Sequence, residues 1–147
     1  MLAAGSDAAA DEAYTAVGDA AEIVRVPTGD IWLRDTGPMG GKTHTGAAAG
    51  LCAPFNGWGG KYVMPGDAET AEGICTHEGL QVQRTDMVLE GGAIEQDGAG
   101  RLITTRQCLL NDNRNAGWTE AQAETVLAAS LGATEIIWLD EGLAGDR

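Results

Sequence analysis

The sequence predicts an α/β fold built from a repeated unit of strand, hairpin and helix. Three observations carry that expectation. Short apolar runs of strand length alternate with stretches of helical period. The order strand, hairpin, helix occurs once and then recurs as strand, hairpin, helix, strand. An acidic motif precedes each hairpin, Arg34-Asp35-Thr36-Gly37 before the first and Leu89-Glu90-Gly91-Gly92 before the second.

The elements follow in order. Residues 1–13 are rich in Ala, Asp and Gly without a strong period. They are expected to be a poorly ordered arm or the remnant of a helix, with the folded unit over 14–147. Residues 22–26 predict a short strand closed by Pro27-Thr28-Gly29. Residues 38–43 and 46–54 predict a hairpin around His44-Thr45, whose second arm is unusually small at Ala47, Ala48, Ala49 and Gly50. Residues 66–79 carry helical spacing, with Ala71, Ile74 and Cys75 on one face and Gly79 as the cap. Gln81–Arg84, residues 92–96 and Arg101–Thr105 predict strands, the last two joined by the turn Asp97-Gly98-Ala99-Gly100. Thr119 and Gln122 have capping-box spacing for a helix to Leu131, with Ala123, Val126, Leu127 and Leu131 as its apolar face. Gly132 ends that helix, and Glu135–Leu139 is expected to be a buried strand.

A length of 147 residues suffices for one domain and one sizeable core. The formal charge of −13, from 22 acidic against 9 basic residues, argues against nucleic acid or an anionic membrane as partner. It suits a small cationic ligand, although acidity also serves solubility alone. Cys52, Cys75 and Cys108 make an odd count without paired spacing, so neither a disulfide framework nor a zinc cluster is indicated. With no basic leader and no apolar run near the roughly 20 residues of a membrane span, a soluble cytoplasmic protein is expected.

In both acidic motifs a carboxylate sits between apolar residues and a glycine turn. Burying it is costly unless a cation meets it. Two such acids at equivalent points of repeated units would face a shared axis, and together suit a guanidinium, which takes bidentate carboxylate pairing. Each residue also has a plainer role open to it. Asp35 could cap the turn before Gly37. Glu90 could be a buried acid paired with Arg34 or Arg114. Trp32 could be a core tryptophan or offer its face to a cation. The loop Phe55-Asn56-Gly57-Trp58-Gly59-Gly60 could line a pocket rim or be a turn anchored by two aromatics. His44 and His77 stand at a turn and a helix end without metal-site spacing. Cys108 is expected in the core.

Four motifs together, Trp32 to Pro38, Phe55 to Lys61, Leu89 to Gly92 and Thr104 to Asn115, resemble the agmatine deiminase family, also called bacterial-type peptidylarginine deiminases. The resemblance runs from about Glu22 to Arg147 and covers only the middle of the family's longer chain. It implies a pentein-type fold, an α/β propeller of five pseudo-symmetric modules, here incomplete at about two to two and a half modules. It further implies hydrolysis of agmatine to N-carbamoylputrescine and ammonia within putrescine and polyamine synthesis, with no metal or organic cofactor. The resemblance implies that Asp35 and Glu90 bind the substrate guanidinium, and Trp32 is expected beside them as a substrate-binding residue against its aliphatic arm. The family's histidine and cysteine motifs would lie beyond Arg147, and none of the three cysteines stands in the nucleophile's context. The chain is therefore expected to be a fragment, inactive alone, that self-associates through exposed edges or forms a homo-oligomer. Arginine or peptidyl-arginine as substrate, or a non-catalytic cation-binding or oligomerising role, remain the alternatives.

Overall fold

Two stretches of this chain solve the same packing problem in the same way, as the computed structural model of residues 1–143 shows. In each, an antiparallel hairpin is followed by a helix and a third strand parallel to the hairpin's second arm. The first unit pairs β3 (Met39–Lys42) with β4 (Ala48–Cys52), crosses through the helix Thr70–Glu78, and adds β5 (Gln81–Arg84). The second pairs β6 (Ile94–Gln96) with β7 (Arg101–Thr105), crosses through the helix Glu120–Leu131, and adds β8 (Glu135–Leu139). Parallel pairing requires such a crossover, and a helix on one sheet face buries the apolar side of both. Ahead of them, β1 (Leu2–Ala4) and β2 (Ile23–Arg25) are parallel and flank the helix Asp7–Val17.

The small residues of β4 have a steric cause. A Cβ on Gly50 would collide with Cys75 Sγ on the crossing helix, so the glycine lets helix and strand close up. Cys52 and Cys75 meet there as buried free thiols, Sγ to Sγ 3.6 Å. Burial pushes the Cys52 thiol from 9.0 up to about 12, and the neighbouring Cys75 acts in the same direction. A raised thiol pKa means the fold favours the protonated form. Its contribution is fully present below about pH 9 and is lost as pH rises towards about 12. Cys52→Ala is accordingly expected to flatten the alkaline fall in stability across that window, read from urea midpoints at several pH values. Parallel curves for the two proteins would refute the assignment.

The second unit holds the larger core, with Met87, Leu89, Ile94, Leu102, Leu109, Ala123 and Leu127 buried together. Full burial of a side chain such as Leu109 is worth roughly 1.5–3 kcal/mol. The Thr119–Gln122 capping box forms, Gly132 closes the helix in the left-handed conformation, and Gly79 does the same for Thr70–Glu78. Asp97 Oδ1 accepts from the Ala99 and Arg101 amides, which holds the β6–β7 turn and keeps the Asp97 carboxyl below its ordinary range.

One expectation is corrected, that for Glu135–Leu139. Within residues 1–13 a strand forms and a helix begins. Ser6 accepts from the Ala9 amide as N-cap, and β1 pairs with a strand some twenty residues later, a non-local contact that composition does not show. The strand Glu135–Leu139 is present but not buried on both faces. Ile136 and Trp138 pack on the core, whereas Ile137 and Leu139 are 38% and 49% exposed. It is paired only with β7 among the described residues, and so is an edge strand with one open face.

No helix among the described residues is long and apolar enough to cross a membrane.

Candidate functional site

The first acidic motif is built on a single helical turn, Leu33–Thr36. Upstream, Asp67 Oδ1 accepts from the Gly29 and Asp30 amides and fixes the chain's entry to the turn. Gly37 donates to the Leu33 carbonyl and ends the turn, where a Cβ would have no room against that oxygen. The turn leaves Asp35 half-buried and facing the second motif. One carboxylate oxygen, Oδ1, accepts from the Gly92 amide at 2.8 Å, and the other, Oδ2, accepts from the Trp58 indole Nε1–H at 3.0 Å.

The paired glycines of the second motif permit this contact. A Cβ on Gly91 would strike the Arg34 carbonyl oxygen, and one on Gly92 would strike Asp35 Oδ1. Gly92→Ala is therefore expected to force Asp35 aside and cost about 1–3 kcal/mol, the range of overpacking. Chemical denaturation of the variant measures it, and a change below 0.5 kcal/mol, about the scatter of ordinary surface substitutions, would show that the contact yields freely.

Glu90 is 2% exposed. Of the two arginines open to it in the sequence, Arg114 is the partner, donating from Nε to Oε1 at 2.8 Å. Arg34 turns instead to the Ile94 carbonyl and the exposed Glu95 carboxylate. Glu90 Oε2 is buried with no hydrogen-bond partner among the described residues. A buried carboxylate oxygen left unmatched is uncommon, because its desolvation is not repaid locally.

Asp35, Glu90 and Trp32 all line one cavity of about 1020 Å3, whose walls also carry Asp30, Trp58, Tyr62, Asn113 and Arg114. Trp32 is 59% exposed, so it is not a core tryptophan. The Phe55–Gly60 loop does reach the pocket through Trp58. Its residues Gly57, Trp58, Gly59 and Gly60 all have positive φ, and Trp58 at 54° is the one non-glycine among the described residues to do so. Asn56 accepts from the Gly59 amide and donates to the Asn113 carbonyl, which ties this loop to the turn Asp112–Asn115 that carries Arg114.

One residue lies elsewhere than expected. Cys108 is not in the core but half-buried at the cavity wall, since its turn Arg106–Leu109 points Leu109 inward instead. Asn113 belongs to the wall as well, whereas Asn115 is structural, bonding Val88 on both backbone sides and the Leu109 carbonyl. His44 and His77 are exposed, and neither lines the cavity. His77 Nε2 lies 3.1 Å from Glu22 Oε1, and with Glu78 they form the one group of possible metal ligands among the described residues, on the open surface.

The profile of the Porphyromonas-type peptidyl-arginine deiminases matches residues 1–147. The chain belongs to that family. Agmatine deiminases are similar to it in sequence. The chain is 41% identical over 135 residues to the agmatine deiminase of Ectopseudomonas mendocina, covering 88% of this chain and 37% of that protein. It is 43% identical over 131 residues to that of Stutzerimonas stutzeri, covering 85% and 36%. The solved agmatine deiminase of Enterococcus faecalis superposes with a TM-score of 0.86 at 30% identity, over 93% of this chain and 39% of that one. This deiminase-family chain thus shares their α/β fold and spans a little over a third of their length.

Proposed function

We propose that this chain supplies the guanidinium-holding wall of a deiminase that converts the guanidino group of agmatine to a ureido group and releases ammonia. The single observation that supports this most is the convergence of Asp35 and Glu90 on one cavity, with Glu90 Oε2 unmatched among the described residues. A guanidinium presents a planar fork of N–H donors that two carboxylates can pair while neutralising its charge. Trp32 at the exposed side of the cavity offers an aromatic face to the cation or its aliphatic arm. The two carboxylates hold the guanidino carbon in place for attack by a thiolate, and orientation of this kind is a large part of catalysis on a resonance-stabilised group. Cys52 is not that thiolate, since it is buried and its pKa of about 12 keeps it protonated.

In this reading the two repeated units are modules of a pentein propeller, and the acids face its axis. The net charge of −13 favours the approach of a cation. The family's description as peptidyl-arginine deiminases favours a second reading, in which the guanidinium belongs to arginine, free or in a peptide.

Calorimetric titration of the chain with agmatine, arginine and putrescine tests these readings. Binding of agmatine in preference to putrescine, strongly weakened but still measurable in Asp35→Asn, is the expected result. Equal binding of agmatine and putrescine would show that no guanidinium is recognised, and preference for arginine would select the second reading.

A further inference from the structure

The geometry points to Trp58 as a positioning residue, one that holds the Asp35 carboxylate in a single orientation for a guanidinium. The inference rests on the guanidinium-binding role of Asp35 proposed above and adds a residue to it. The indole Nε1–H donates to Asp35 Oδ2 at 3.0 Å while the Gly92 amide donates to Oδ1 at 2.8 Å. With one donor on each oxygen, the carboxylate plane is fixed, and each oxygen keeps a lone pair for a further donor. A carboxylate tethered at one oxygen alone turns about its last bond and presents those lone pairs in many directions. Fixing it in advance removes that freedom before a ligand arrives.

The backbone supports this assignment independently of the hydrogen bond. Trp58 has φ 54° and ψ 49°, left-handed geometry that side-chain-bearing residues rarely adopt. Its neighbours enforce it. A Cβ on Gly57 would collide with the Tyr62 carbonyl, and one on Gly59 with the Asn113 side chain. Phe55 packs edge-on to the indole at 4.9 Å between centroids, and Tyr62 lies edge-on at 6.3 Å. Strain kept at one tryptophan by such close packing is a mark of a site where an exact side-chain direction matters. The same loop is tied through Asn56 and Asn113 to the turn that delivers Arg114 to Glu90. The segments that orient the two acids are thereby joined to each other.

The test separates positioning from packing. Trp58→Phe keeps a ring and removes the donor. Acting through Asp35, it should weaken agmatine binding about tenfold in the unmodified chain and less than twofold when Asp35 is already asparagine, because coupled residues do not add. Equal losses in both backgrounds, or no loss in the first, would overturn the proposal. A second measurement needs no ligand and no folded Trp58 variant. In a 15N-labelled chain the Trp58 indole N–H resonance should move upfield and exchange faster with solvent in Asp35→Ala. An indole resonance indifferent to Asp35 would overturn the assignment outright. Should the unmodified chain bind no agmatine, the guanidinium reading falls, and the indole resonance still decides whether Trp58 holds the carboxylate.

Discussion

Arg114→Ala should destabilise the fold by about 3–5 kcal/mol, the cost of leaving one charge of a buried pair without its partner. The pair is well shielded, with the Arg114 and Glu90 side chains 10% and 3% exposed. Removing the guanidinium leaves Glu90 with neither oxygen matched, since Oε2 has no partner among the described residues to begin with. Urea unfolding read by tryptophan fluorescence measures the loss. A companion experiment identifies its origin. Replacing Glu90 and Arg114 together by methionine removes both charges while filling most of the volume, and should recover most of the stability, because buried pairs are often replaceable by apolar groups at little cost. If Arg114→Ala costs less than about 1 kcal/mol, the range of an exposed pair, then water reaches Glu90 and the desolvation argument fails.

The second large effect concerns chemistry. In a full-length deiminase carrying this segment, Asp35→Asn is expected to lower agmatine turnover by about two to four orders of magnitude. The loss of one partner from a desolvated ion pair costs roughly 3–5 kcal/mol, at about 1.4 kcal/mol per tenfold. Asparagine makes the site worse in a second way. Both oxygens of Asp35 accept from donors, Gly92 N–H and Trp58 Nε1–H, and an amide NH2 must face one of them donor to donor. Ammonia release at saturating and subsaturating agmatine would follow the effect. Near-normal turnover would return Asp35 to the role of a turn residue.

Much of this architecture is legible in the sequence because it is local. The Thr119–Gln122 box, the closing glycines 79 and 132 and the Asp97 turn each depend on a few adjacent residues, and each forms as expected. The misses are of two kinds. Exposure of one face of Glu135–Leu139 depends on which strands pair with it, and an apolar run of five cannot show whether it will be central or at an edge. The β1–β2 pairing and the Cys52–Cys75 contact join residues more than twenty apart, and no local pattern announces them. At the site, the residue types drew attention to Asp35, Glu90 and the loop around Trp58. The choice of Arg114 over Arg34 for Glu90 rests on their directions, because Arg34 leaves its turn towards the surface while Arg114 leaves its turn inward. Cys108 lies outside the core for a related reason: within one four-residue turn, Leu109 takes the inward position and Cys108 the wall.

The cavity's two acids belong to successive repeat units, and the units meet beside them at Gly91 against the Arg34 carbonyl, Gly92 N–H on Asp35, Arg34 on the Ile94 carbonyl and the Glu95 carboxylate, and Asn56 on the Asn113 carbonyl. A cation bridging the two carboxylates would act as a staple across that seam. Breathing of one unit away from the other would then compete with occupancy, and each would report on the other. At a ligand concentration of a hundred times Kd, occupancy adds about 2.7 kcal/mol against any opening that abolishes the site. That protection would be concentrated in the Gly92 amide and its neighbours, and would leave the outer turns near His44 and Gly98 exchanging with solvent as before.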